Sequence, residues 1–449
     1  MAGRESIMVF AVSFLLFAIL TNTGYVENDL SRIATIESLV ERHTFVIDDA
    51  SAQPKVDKVA LGGHYYSDKP PILSIIGAVP YLLLSNIGIS LREHTALAYR
   101  LITLSVVGFS TALLAVVFNR ALKAEGLARG QSLFLTAVLL TATPIFNYSV
   151  TYNSHTVAAF LLFAGYLLTA GHAGKKTAFL AGLSTGLCAA VEMPVGLIFL
   201  AAYAAIMIVL RRGFKDVLIF SAAAALPLTA HAILNIHLLG DLRPAVMHPE
   251  YWGYPGSEFY GENSGWFGAT HSPGRIEYLL NALFGVQGFL STTPVLAFGA
   301  LVFIRNLTDT RRENAARLIM AAASVLTAAF YLLFTSSYGG NAHSFRYLIP
   351  LVPLLVFASA DLLKEEKTRK LHTLLIFAAF YSFFMAQITK AAFYQTGAPW
   401  VNYSQNSFIA ASLVSAALAA YVLASAHAAL RKTILPGMSY NRGLHNTEQ

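Results

Sequence analysis

Apolar runs of about 20 residues recur along almost the whole chain, separated by short polar or basic segments. Runs of that length with few charges predict helices that cross a bilayer. The pattern places candidate spans near 7–24, 98–119, 131–147, 155–171, 177–191, 194–210, 217–239, 279–304, 316–335, 347–363, 371–389 and 407–430. One further apolar stretch, Pro70 to Gly88, breaks the rhythm with two leading prolines and Pro80. Lysine and arginine decide its status, because cytoplasmic loops carry the excess of both. If 70–88 does not cross, 20 of the 31 lysines and arginines fall on one side, in the N-terminus, 120–130, 172–176, 211–216, 305–315, 364–370 and the C-terminal tail, with Arg317 at a span's inner end. If it does cross, every later loop inverts and the basic ones face outward. The stretch is therefore read as interfacial or re-entrant. The run from Ile7 to Leu20 follows Arg4, and Thr21-Asn22-Thr23 is a poor cleavage site, so it is read as a first span rather than a signal peptide.

The expectation is an all-α polytopic membrane protein with about 12 transmembrane helices and both termini cytoplasmic. Its parts are a first span (1–24), an external loop (25–97), a bundle (98–430) carrying an external loop at 240–278, and a cytoplasmic tail (431–449). Within the first loop Leu30, Ile33, Ile36, Leu39 and Val40 recur at helical spacing, with Arg32, Glu37 and Glu41 left for the polar side. That predicts an amphipathic helix lying on the outer leaflet. Asn28 or Asp29 would cap its start. Composition agrees: 56% of the 449 residues are hydrophobic, 12% are charged, and the mean hydropathy is +0.57. A soluble domain carries roughly 25% charged residues, which excludes a string of soluble domains. The one cysteine, Cys188, excludes an internal disulfide framework and a thiolate metal cluster. The net charge of +7 is spread over short loops as a topology signal, which argues against a nucleic-acid partner.

Chemistry must then come from the outer loops. Asp29 is either a helix cap or a base. Lys69, in Tyr65-Tyr66-Ser67-Asp68-Lys69-Pro70-Pro71, holds a cation at the membrane surface and either binds phosphate or snorkels to lipid headgroups. Arg346 opens a span in Phe345-Arg346-Tyr347-Leu348-Ile349-Pro350, as a two-pronged phosphate ligand or as an interfacial anchor beside tyrosines. His155 and Glu192 sit at outer span ends, as substrate contacts or as ordinary interfacial groups. The 240–278 loop is rich in aromatics, including Tyr251, Trp252, Tyr260 and Trp266, which suit sugar stacking and a surface flap equally. Its histidines, His248 and His271, are too widely spaced for a metal motif, so no metal is expected. A carboxylate, a lysine and an arginine around an apolar bundle fit a sugar phosphate carried on a long lipid. Such a leaving phosphate needs no proton, so one carboxylate suffices as base, whereas a glycosidase needs two.

Three pieces in order, Asp29 with Arg32, the Tyr65–Pro71 run, and the Ser344–Pro350 run, resemble the type C polytopic glycosyltransferases. The closest branch is the aminoarabinose–lipid A transferases and bacterial relatives of protein O-mannosyltransferases. The resemblance implies transfer of a sugar from a polyprenyl-phosphate donor to a lipid, glycan or protein acceptor at the non-cytoplasmic face of a bacterial inner membrane. It implies Asp29 as base and Lys69 and Arg346 as donor-phosphate ligands, with Arg32, Asp68, Tyr66, Tyr347 and His155 in support. Asp68 stands where the family has a glutamate, which loosens any metal-linked role found in some members. The competing expectations are a flippase of lipid-linked glycans, which should carry charges within its spans, and an O-antigen-ligase-like protein, which should have a larger late external loop.

Overall fold

The structure, a computed structural model, describes residues 2–24, 26–257, 274–285, 288–307, 314–335, 338, 343–364 and 369–396. The last expected span (407–430), the 390–406 loop beyond residue 396, the tail, and Glu258, Tyr260, Trp266 and His271 lie outside them.

Helix α1 (Ala2–Leu20) leads into the first loop. There α2 (Glu27–Glu41), the strands β1 (Lys58–Leu61) and β2 (His64–Ser67), and α3 (Pro71–Asn86) follow in order. The bundle comprises α4 (Thr95–Thr103), α5 (Phe109–Ala124), α6 (Arg129–Thr141), α7 (Pro144–Tyr148), α8 (Ser154–Ala170), α9 (Lys175–Val191), α10 (Met193–Val209) and α11 (Phe214–Leu239). It continues with α12 (Arg275–Phe284), α13 (Leu296–Leu307), α14 (Ala315–Phe334), a 3-10 segment Arg346–Leu351, α15 (Val352–Ala358), α16 (Ala360–Lys364) and α17 (Arg369–Thr396). A π-helical turn, Leu104–Gly108, joins α4 to α5 as one long helix. Among the described residues, five helical stretches are long and apolar enough to cross a membrane: Gly3–Leu20, Thr95–Ala124, Phe214–Leu239, Ala315–Phe334 and Arg346–Lys364. Exposed side chains such as Ile7, Val12, Leu83, Phe214 and Leu218 leave an apolar outer surface, as lipid contact requires.

Lipid gives helices no hydrophobic reason to associate, so close backbone approach must hold the bundle together. Gly182 and Gly186, four apart on α9, supply it. A Cβ on Gly182 would lie 2.0 Å from Phe220 O, and one on Gly186 2.4 Å from Ala224 O, so α11 runs directly against their backbone. The Gly-x-x-x-Gly spacing was there to be read in the sequence.

Three sequence expectations are corrected. The span at 279–304 is not one helix: α12 ends at Phe284 and α13 starts at Leu296. Gly285, Gly288 and Pro294 interrupt it. The freed backbone groups are answered internally, with Phe289 N donating to Ala282 O and Leu290 N to Leu283 O (2.9 and 2.8 Å), and Val295 N to Ser382 Oγ (3.2 Å). Irregular backbone at membrane depth is tolerated under such cover. Secondly, α2 does not lie on the leaflet with a wet face: residues 29–38 are all buried, including Arg32 and Glu37. The rest of the first loop covers it, and Glu37 accepts from Ser51 N, Ser51 Oγ and Arg42 Nη1 (2.9, 2.6 and 3.3 Å). Thirdly, the helix starts at Glu27 with Val26 at the N-cap, so neither Asn28 nor Asp29 caps it.

The hairpin was not anticipated. Gly62 and Gly63 have φ of 61° and 84°, the double positive φ of a tight two-residue hairpin turn. Lys58 pairs with Ser67 at the open end, which sets Asp57 beside Asp68 and Lys69.

Candidate active site

The N-terminal ends of α2, α8, α10 and the 346–351 segment carry the candidate residues, with the open end of the hairpin beside α2. Asp29, in the first turn of α2, is 2% exposed. Its Oδ2 accepts a 2.7 Å hydrogen bond from the Tyr99 hydroxyl of α4. Burial pushes its carboxyl up to about 7, against the opposing pull of Tyr99 and Arg32. A carboxyl with that affinity for protons is suited to general-base work near neutrality.

Arg32, one turn along, is a hub. It donates to Asn28 Oδ1 (2.6 Å) and to Ser154 Oγ of α8 (3.1 Å). Ser154 donates in turn to Glu192 Oε2 (2.7 Å) at the α9–α10 junction. His155 Nδ1 lies 3.0 Å from the same Oε2 without the alignment of a hydrogen bond, and its ring stands edge-on to Tyr148. Burial raises the Glu192 carboxyl, but His155, Ser154 and Arg32 outweigh it and hold it below the usual range. Asp29, Asp68, Glu192 and Arg346 all act electrostatically on Arg32.

Lys69 is not a free cation. Its Nζ lies 2.5 Å from Asp68 Oδ2 and 3.3 Å from Asp57 Oδ1, a clamp set by the hairpin register. Burial and Asp57 raise the Asp68 carboxyl despite Lys69. At Asp57 burial acts the same way, but Lys69 and Arg346 prevail and lower it. Ser31 of α2 ties on through Ser67 Oγ (2.6 Å) and Asp68 Oδ1 (3.2 Å). Ser31 and Asp29 are two residues apart, about 200° around the helix, so the lysine clamp and the candidate base lie on different sides of α2.

Arg346 differs. Among the described residues it has neither ion pair nor hydrogen bond, its Nε is buried without a partner, and its guanidinium sits 5.7 Å over the Tyr347 ring. Just before it, Ser344 holds φ of 65° with its hydroxyl buried and unpaired, and His343 Nε2 is likewise buried and unpaired. Burial pushes the His343 imidazole down to about 4, so it is neutral at pH 7. Strain at a non-glycine residue beside several unmet polar atoms is costly unless a ligand answers it.

The structure thus places Asp29, Arg32, Asp68, Lys69, His155 and Arg346 around one region, with Tyr347 stacked on Tyr331 at 5.1 Å. Tyr66 packs against the cluster of Val59, Leu239, Ala245 and Trp252. The sequence reading missed Asp57, Tyr99, Ser154, His343 and Ser344; only the tertiary contacts mark them. Tyr254 packs on Tyr65 and donates to Val56 O (2.9 Å), and Trp252 is buried. These two aromatics of the 240–257 segment therefore seal the hairpin. No group of three or more metal-ligating side chains occurs among the described residues.

The fold has counterparts among solved structures. Two solved structures of ArnT, the aminoarabinose–lipid A transferase of Cupriavidus metallidurans, share it. The one bound to undecaprenyl phosphate superposes with a TM-score of 0.55 at 15% identity, over 97% of this chain and 73% of that one. The apo structure gives 0.52 at 16% identity over the same shares. No protein-family profile and no curated protein matches the sequence.

Proposed function

We propose that this protein is a membrane glycosyltransferase that moves a sugar from a polyprenyl-phosphate donor to an acceptor hydroxyl or amine at the non-cytoplasmic face of a bacterial inner membrane. The observation that carries the reading is the 343–346 segment: an arginine with no carboxylate partner among the described residues, beside unmet buried polar groups, in a site that also holds a buried carboxyl poised near neutrality. The fold shared with a protein solved with undecaprenyl phosphate supports it. So does the basic bias of the opposite-side loops, which puts both termini in the cytoplasm and the site outside.

In this reaction the acceptor attacks C1 of the sugar and passes its proton to Asp29. The C1–O bond to phosphate breaks, and the electron pair leaves with the polyprenyl phosphate. Arg346, with Lys69 released in part from its carboxylates, takes the charge that builds on the leaving phosphate. Arg32 holds the Asp29 side of α2 against α8. A flippase would need charges along a path through the spans. Here the titratable groups named above gather at the outer ends.

Mass spectrometry of envelope lipids and glycans from cells with and without the gene tests the proposal. A sugar modification that disappears without the gene is expected. It should return with the wild-type copy and not with Asp29→Asn or Arg346→Ala. An unchanged envelope, or full restoration by both variants, would overturn it.

A further inference from the structure

Between the hairpin's open end, the start of α3 and the C-terminal part of α11 lies a pocket that opens to solvent. Ser67, Asp68 and Lys69 line it together with His231 and Asn235. Neither Asp29 nor Arg346 lines it. His231 and Asn235 are four residues apart on one face of α11, a helix apolar enough to span, where polar side chains are expensive and need a reason. Each is only 3% exposed.

Their hydrogen bonds do not account for them. Asn235 Nδ2 donates to His231 Nε2 and to Leu242 O, both at 3.3 Å. An acceptor Nε2 puts the ring proton on Nδ1, and Nδ1 is buried with no partner. Asn235 Oδ1 likewise accepts no hydrogen bond from the described residues. The pair therefore offers one N–H donor and one carbonyl acceptor in a pocket that the Asp68 carboxylate also lines. Planar donor–acceptor sets of this kind match the hydroxyls of a sugar ring, and Phe45, Pro70 and Pro71 in the lining supply apolar surface for its C–H faces.

We infer that this pocket holds the glycosyl unit of the donor, and that His231 and Asn235 read its hydroxyl pattern. The inference rests on the proposed function. The pocket shares Lys69 with the candidate phosphate site, so a ring seated in it stays attached to the donor phosphate, which assigns the pocket to the donor's sugar rather than to the acceptor. His231 and Asn235 are specificity-determining residues: they distinguish sugar-bearing lipid from bare polyprenyl phosphate.

The test compares binding of undecaprenyl phosphate with that of its glucosyl, mannosyl and 4-aminoarabinosyl esters by purified full-length protein. The wild type should bind at least one ester more tightly than the free phosphate. His231→Phe, which keeps ring volume, and Asn235→Leu should each remove about tenfold of that preference and leave affinity for undecaprenyl phosphate unchanged. Arg346→Ala should weaken every one of these lipids alike. If Arg346→Ala behaves so but the α11 variants change all lipids equally, or none, the sugar pocket is refuted and the phosphate site stands. If the wild type prefers no ester over the free phosphate, the pocket assignment also fails. If no lipid binds at all, the proposed function falls with it.

Discussion

Asp29→Asn separates catalysis from architecture. Asparagine is isosteric with the protonated acid and can still accept from the Tyr99 hydroxyl, which lies 2.7 Å from Oδ2 in the wild type. The folded state holds the Asp29 carboxyl at about 7, against 3.8 for the unfolded chain. Below pH 3.8 both states are protonated and the aspartate has no electrostatic cost. Between 3.8 and about 7 the unfolded chain has released its proton and the folded one has not, so wild-type stability declines as pH rises. Above about 7 the loss levels off, on the order of 4 kcal/mol. The asparagine variant escapes it. We expect its apparent Tm in detergent to match the wild type near pH 4 and to exceed it at pH 8, while sugar transfer drops at least hundredfold. Wild-type transfer itself should fall about tenfold per unit as pH drops below 7. The assays are intrinsic-fluorescence melts across pH and mass-spectrometric product formation in membranes from cells lacking the native gene. Near-normal transfer by the variant would remove Asp29 as base and send the search to Asp68, Glu27 or Glu192. A variant that melts lower at pH 8 would refute the cost of burying the charge.

Arg346→Ala should weaken undecaprenyl phosphate binding about ten- to hundredfold, the loss of a charge-assisted contact, with unchanged affinity refuting the phosphate role. Lys69→Ala should instead destabilise the first loop by roughly 3–5 kcal/mol, because it leaves Asp57 and Asp68 facing each other; limited proteolysis after Lys55 or Lys58 reads this, and wild-type resistance would count against the clamp. Cysteines placed at exposed Lys55 and Arg92 should both react with an impermeant thiol reagent from outside, Cys188 being buried. Labelling of Arg92→Cys only from the cytoplasm would make 70–88 a true crossing. Gly182→Leu should prevent stable insertion of the bundle, read as loss of monodisperse protein in detergent, since the side chain would enter the Phe220 backbone.

How much was legible follows from what each residue depends on. The apolar helices are a local, additive property, because bilayer thickness demands long apolar runs, and the expected sidedness rests on charge bias alone. The hairpin was written in Gly62-Gly63 between Val59-Ala60-Leu61 and Tyr65-Tyr66, and the α9–α11 contact in Gly182 and Gly186, but apolar helix-length runs drew attention away from both. The break at 285–295 was masked for the same reason: Gly285, Gly288 and Pro294 are diluted in an apolar stretch. Other facts have no local signature. Whether Asp29 caps α2 or is buried against Tyr99 depends on a residue 70 positions away, and whether Lys69 is free depends on Asp57, delivered by strand register. The unmet His231 Nδ1 and Arg346 Nε are absences of partners among the described residues, and only packing decides an absence. By itself the sequence determined that the chain threads a bilayer and where its polar chemistry must gather. The tertiary structure decided which of those charges are already neutralised and which are left for a ligand, since long-range contacts alone set desolvation and pairing.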